Sequence, residues 1–206
     1  MLKVYFGPQT IAVATLIALE EAGADYEPVC LDMKNRQQQS EDYLQVNPKG
    51  RVPALVTDDG ILTETPAVLT YIAQTHPDAG LCPFEDAWAF AQVQSFNAYL
   101  ASTVHVAHAH NRRGHRWTDN KAAQKAMSAY VPKSMAECFK LIENELFQAP
   151  WVMGKIFTIC DPYLFAISSW LEGDGVDPAR FPLVMEHRSR MHERGSVKRV
   201  MALQNG

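Results

Sequence analysis

Hydrophobic spacing divides the chain into two unlike stretches. Residues 2 to 6, LKVYF, form a short apolar run suited to a strand. Residues 10 to 22, TIAVATLIALEEA, read as a helix that stops at Gly23, a residue able to adopt the left-handed conformation. Residues 26 to 31 predict a second strand, after which polar KNRQQQSEDYLQV carries a short helix to the turn cluster Asn47-Pro48-Lys49-Gly50. Two further strands, 53 to 57 and 61 to 63, flank an Asp-Asp-Gly turn, and a helix runs from Pro66 to about His76. The order β-α-β-α-β-β-α predicts an open α/β sheet with a parallel first pair and a hairpin added as an antiparallel edge.

After His76-Pro77-Asp78-Ala79-Gly80 the pattern becomes helix alone, over 84 to 110, 121 to 147, 159 to 171 and 178 to 193. Residues 1 to 78 are therefore expected to form an α/β domain and residues 84 to 206 an all-α domain, joined by a linker near 77 to 83. FTICDPYLF supplies a helix start. Thr158 is the predicted N-cap and Asp161, three residues on, reaches back to the cap amide as Glu does in a capping box.

Composition narrows the function classes. The 206 residues are 47% hydrophobic, enough for one ordinary domain or two small ones with a core each. No stretch approaches ~18 uninterrupted apolar residues, and MLKVYFGPQT lacks the marks of a secretory leader, so the cytoplasm is the expected compartment. Cys30, Cys82, Cys138 and Cys160 are scattered without a CxxC pair and are expected to be buried, inert thiols. A formal net charge of −4 disfavours a nucleic-acid surface or an anionic membrane as partner. A small molecule remains.

VPALVTDDGILTETP, residues 52 to 66, carries the chemistry. Pro53 cannot donate to a ladder, and the Val52-Pro53 pair admits two geometries: a trans proline opening an edge strand, or a cis bond that turns the Val52 backbone outward to a ligand. Thr65 as N-cap and Pro66 at the first helical position aim free amides at a site that favours a carboxylate, and Glu64 can face an ammonium. Together they form a socket for an α-amino-acid head group.

NPKGRVPALVTDDGILTETPAVLTYIA resembles the glutathione-binding core of cytosolic glutathione S-transferases, the bacterial beta-like class above all, and FTICDPYLF resembles the capping segment of that family's helical domain. The resemblance spans nearly the whole chain. It implies a thioredoxin-like N-terminal domain, an all-helical C-terminal domain, a homodimer, and glutathione as substrate with no metal. It also implies a cis Pro53, with Val52 pairing the cysteinyl part of glutathione and Glu64 and Thr65 holding the γ-glutamyl end. For the glycyl carboxylate it points to Lys34, or to Asn35 or Arg36 if the loop is displaced by a residue. His105 matches a histidine lining the acceptor site. His108 and His110 nearby raise a metal, disfavoured for want of carboxylate or cysteine ligands. Arg112, Arg113 and Arg116 either make the entrance basic or solvate a loop, and the loop is the expectation.

The departure lies in YFGPQTIAVA. Beta-like members place a cysteine in the loop before the first helix to activate the glutathione thiol, and that position is Ile11. Thr10 and Tyr5 are the hydroxyl donors left nearby, beside the positive end of the helix itself. The expected function is conjugation of glutathione thiolate to a hydrophobic electrophile. The alternative is a catalytically weak glutathione-binding or regulatory dimer, which Ile11 favours, and a glutaredoxin-type reductase ranks below both.

Overall fold

The computed structural model describes residues 1–204. Its first part follows the predicted order: β1 (Leu2–Phe6), α1 (Ala12–Glu21), β2 (Tyr26–Cys30), α2 (Glu41–Val46), β3 (Ala54–Thr57), β4 (Gly60–Thr63) and α3 (Thr65–Thr75). The sheet runs β2-β1-β3-β4, with β1 and β2 parallel and both β1·β3 and β3·β4 antiparallel. Only β4 of the hairpin is an edge. Pro53 therefore precedes an interior strand rather than opening an edge one, and its bond to Val52 is cis.

Strand alternation sorts β1 into two faces. Val4 and Phe6 are buried in the main core, whereas Tyr5 points the other way, into a small cluster of Leu31, Tyr43 and Ala54 beneath α2. On the main-core side lies α1, buried continuously from Ala12 to Leu19. It stops where expected, with Gly23 at φ +63°.

Twelve positions past α3's end at Thr75 the helical part begins, with α4 (Ala87–Tyr99), α5 (His105–Arg112), α6 (Lys121–Leu141), α7 (Cys160–Ser168), α8 (Pro182–Glu193) and α9 (Gly195–Leu203). The expected helix over 84 to 110 begins at Ala87, because Asp86 caps it by accepting from the Trp88 and Ala89 amides at 2.9 and 3.0 Å. A π-helical segment, Leu100–Val104, joins α4 to α5, and a second, Ile142–Leu146, extends α6. The helix α9 was not anticipated: the extended ψ of 138° at Arg194 turns the chain, and Gly195 opens the new helix directly after it. The two parts do not keep separate cores. α1 packs on α3 from its own part and on α7 and α9 from the other, and one cluster of buried residues runs through both.

Asp161 anchors the helical part from a fully buried position. Its carboxylate accepts from the Thr158 amide at 2.7 Å and the Val152 amide at 2.9 Å, and His187 Nε2 lies 3.0 Å away. The Thr158 hydroxyl accepts from the Cys160 amide at 3.3 Å. The capping-box geometry is thus present, with Asp161 also tying in the loop at Val152 and helix α8. Three cysteines are buried as expected. Cys30 is exposed, at the end of edge strand β2, which leaves it one face without a covering layer.

Across the seam, Arg194 grips Glu21 at 2.6 and 2.5 Å through two guanidinium nitrogens, and the Ser196 hydroxyl donates to the same carboxylate. Burial pushes Glu21 upward, but these hydrogen bonds and the arginine charge outweigh it and hold the carboxyl below its ordinary value.

Removing Asp161 leaves two buried amides without acceptors, so Asp161→Ala is expected to cost about 3–5 kcal/mol in denaturant unfolding. A loss under about 1 kcal/mol would contradict the anchoring role. The Glu21 contribution is fully present above the unfolded carboxyl value of 4.5 and is lost as pH falls through the lower folded value. Thermal melts from neutral to acid pH should therefore show a drop below the ordinary carboxylate range that is shallower in Glu21→Gln.

Candidate active site

The N-terminus of α1 opens on a cleft of about 400 Å³ between the sheet and the helical part. Its floor is Gln9, Thr10 and Ile11, in the loop from β1 to α1. One wall is the turn before β3, with Gly50, Arg51, Val52 and Pro53, and the corner between β4 and α3, with Thr63, Glu64, Thr65 and Pro66. The opposite wall is His105, Val106 and Ala109 from α5, then Arg113, Arg116 and Trp117, with Tyr163 and Trp170 behind.

Two stretches of main chain arrive at this cleft unpaired. The Val52 N–H and C=O have no protein partner among the described residues, because β3 pairs only from Ala54 onward. The Thr65 N–H has none either, being the first residue of α3. Thr65 is not itself the N-cap. That position belongs to Glu64, held at φ +72°, a left-handed conformation that costs a non-glycine residue on the order of 1–3 kcal/mol. The structure tolerates it at the point where the α3 amides turn into the cleft. The Glu64 carboxylate already has a cation: Lys49 Nζ stands 2.6 Å from it and 2.6 Å from the Thr63 hydroxyl. An incoming ammonium shares or displaces that lysine.

The residues proposed around the sulfur position separate. Thr10 lines the cleft, but its hydroxyl donates to the Gly7 carbonyl at 2.7 Å and lies 3.4 Å from the Ala12 amide. Ile11, not Thr10, is the helix's N-cap residue, and no acceptor takes its N–H among the described residues. Tyr5 is not brought to the cleft. Its position on the outer face of β1 sets its ring edge-on to Tyr43, with centroids 5.4 Å apart. Lys34 is also outside the lining. The turn that Asp32 makes by accepting from the Lys34 and Asn35 amides leaves Lys34 exposed, while Met33 and Gln38 of the same connection face inward. The Gln38 carbonyl oxygen is buried without a partner.

His105 does reach the cleft, against Trp170 at a centroid distance of 5.0 Å. Burial, then the cations of His108, Arg113, Arg116 and Arg51, push its pKa down to about 3, so the imidazole is neutral near pH 7. His108 stacks on Trp170 as well, at 4.2 Å and with its ring centroid 6.3 Å from that of His105, and its Nδ1 lies 2.7 Å from the buried Asp174 carboxylate. That carboxylate takes His108, and among the described residues no three His, Cys, Asp or Glu side chains come together as a metal group. The Trp170 indole N–H donates to the Gln9 carbonyl at 3.2 Å, and Gln204 accepts from the Gln9 amide at 2.8 Å, so the last helix braces the floor loop.

Sequence reasoning missed several lining residues. Arg113 and Arg116 were assigned to a solvated loop; both line the cleft, because α5 ends beside it. Arg51 was passed over, although its place next to Val52 was a usable signal. Tyr163 was read only as part of a capping segment. Its phenol is raised by burial first and by the Glu64 carboxylate second, and it stays protonated.

Comparison with known proteins gives the site a context. Residues 1–74 match the family model of the glutathione S-transferase N-terminal domain. Glutathione S-transferase GstA of Escherichia coli O157:H7 is 30% identical over 200 residues, covering 96% of both chains. Among solved structures, a glutathione transferase homolog from Sulfitobacter with bound glutathione superposes with a TM-score of 0.96 at 48% identity, covering 98% of each chain. A sphingomonad glutathione S-transferase complexed with glutathione gives a TM-score of 0.86 at 31% identity, again over 98% of each.

The depressed His105 value makes a direct spectroscopic prediction. Its imidazole resonances, identified by their loss in His105→Gln, should stay flat between about pH 5 and pH 8, where an unperturbed histidine titrates. A midpoint near 6.5 would show the ring to be solvated.

Proposed function

Because the chain belongs to the glutathione S-transferase family, we propose that the cleft binds glutathione and conjugates its thiolate to a hydrophobic electrophile. The observation that carries this reading is the convergence of two unpaired main-chain segments, Val52 and Thr65, on one cleft. The cysteinyl backbone pairs with Val52, beside Pro53, and the γ-glutamyl carboxylate takes the Thr65 amide at the positive end of α3. The α-ammonium lies against Glu64. The glycyl end runs toward the connection that holds Gln38, with Lys34 left as a distant counter-charge.

The sulfur then lies over the N-terminus of α1, near the free Ile11 amide and the Thr10 oxygen. A helix end stabilises a partly buried anion by up to ~2 kcal/mol, or about 1.5 pKa units, enough to bring a thiol from about 8.5 to near 7. About half of the bound tripeptide is then thiolate at neutral pH without any side-chain proton donor. The thiol proton leaves to water, the sulfur attacks the electrophile beside His105 and Trp170, and the product dissociates. The same family reading carries a cytoplasmic homodimer. A second reading, a glutathione-binding dimer with little turnover, is favoured by the apolar Ile11 and by the Thr10 hydroxyl already spent on Gly7.

Titrating the protein with glutathione while following thiolate absorbance in the ultraviolet separates the two. Binding with thiolate signal at neutral pH supports the transferase; binding without it supports the silent dimer; no binding removes both. With an aryl halide acceptor, Thr10→Val is expected to lose about two- to ten-fold in rate, the worth of one ordinary hydrogen bond. Tyr5→Phe should stay within about two-fold, since its ring sits under α2. A large loss in Tyr5→Phe would return the hydroxyl to the site.

A further inference from the structure

Three guanidinium groups stand in the cleft without a counter-ion. Arg51 arrives from the turn before Pro53, Arg113 directly follows α5, and Arg116 comes in the next turn; all three line the same cavity. Four arginines elsewhere are paired: Arg188, Arg190, Arg194 and Arg199 each face a carboxylate within 3.1 Å, while Arg36, Arg112 and Arg180 lie outside this cleft's lining. Arg51, Arg113 and Arg116 have no such partner among the described residues. The one acid in the described lining, Glu64, is taken by Lys49. A protein of net charge −4 thus keeps this end of its cleft free of uncompensated acid.

Solvated surface arginines would not interact as these do. Burial first, then the charge of Arg51, lowers Arg113; burial, Arg51 and Arg113 lower Arg116 to about 10. Arg113 is half-buried, Arg51 and Arg116 are more open to water, and the three charges sit close enough to repel one another. An anion placed among them relieves that repulsion, and a planar carboxylate matches the guanidinium fork. Trp117 and Val106 beside them offer an apolar face. His105, kept neutral by burial first and by the same field second, adds no charge of its own.

We propose that this arginine cluster binds a carboxylate carried by the acceptor, so that the electrophile is an anionic one with an apolar body rather than a neutral hydrophobe. This rests on the glutathione-conjugating reading above. Opposite walls of one cleft then recognise the two reactants, free amides and Glu64 the tripeptide and Arg113 and Arg116 the partner it attacks, with Arg51 on the tripeptide's wall beside Val52.

The test uses two aryl chlorides that differ by one carboxylate, chlorodinitrobenzene and chlorodinitrobenzoate. In both, the glutathione sulfur bonds to the ring carbon bearing chlorine, the carbon–chlorine bond breaks, and chloride leaves with its electron pair. With rates normalised to the uncatalysed reactions, kcat/KM should favour the benzoate by roughly ten-fold, and that ratio should fall about ten-fold in Arg113→Gln and in Arg116→Gln. Arg113→Lys should retain part of it. An unchanged ratio in both glutamine variants overturns the proposal. So does a rise confined to KM for glutathione, which would assign the arginines to the tripeptide's own glycyl carboxylate. Calorimetric binding of the two glutathione conjugates needs no turnover. Preference for the carboxylated conjugate in an inactive protein would sink the transferase reading and keep the anion site; turnover without preference would do the reverse; no binding of either would sink both.

Discussion

The complete burial of α1 is the constraint from which the rest follows. From Ala12 to Leu19 every residue of the helix is buried, so no side of it can face water. The sheet covers one side, α3 a second, and α7 and α9 from the helical part the remainder. A helix enclosed in this way still has unsatisfied N–H groups at its start, and these must emerge somewhere. They emerge at the seam between the two parts, where the floor loop, the Val52 turn and the α3 N-terminus meet. The cleft is a consequence of packing before it is a site of chemistry.

Its electrostatics are asymmetric for related reasons. The α1 and α3 amides give partial positive charge with no counter-ion, Arg51 adds full charge beside Val52, and Arg113 and Arg116 add it along the opposite wall. In so positive an enclosure a buried imidazole cannot hold a proton, and His105 falls to about 3. The acidic surplus of the chain lies outside the lining, whose one acid among the described residues is Glu64, and Glu20 and Glu21 of α1 are spent on Arg199 and Arg194. Net charge therefore describes the surface and says nothing about the cleft.

The sequence was informative wherever the physics is local. Apolar spacing, the Gly23 stop, the hairpin turn and the Thr158–Asp161 cap each depend on residues a few positions apart, and all appear in the structure. What escaped depends on distant partners. The solvation of Arg113 and Arg116 is decided by where α5 ends relative to the Val52 turn, more than fifty positions away in the chain. The helix α9 packs on α1, and the glycine at its boundary, Gly195, is its first residue rather than a stop before it. Tyr5 shows a finer limit: its distance from the loop along the chain was short, but strand alternation sends it to the far face of the sheet. Cys30 looked like any buried thiol until its strand proved to be an edge.

Ile11 then becomes intelligible. A cysteine at the start of α1 would place a second thiol beside the first, where a low-pKa protein thiolate competes for the same free amide. An apolar residue there leaves the amide to the bound sulfur and keeps water from it, and a dipole acts most strongly on an anion where water is excluded. Thr10, with its hydrogen held by Gly7, offers an oxygen and no proton, so it fixes the loop more than it activates sulfur. On the proposed reading, the backbone alone is left to stabilise the thiolate. An acceptor with its own negative charge would be repelled by that sulfur, and the unpaired arginines lie on the wall where such a repulsion has to be offset.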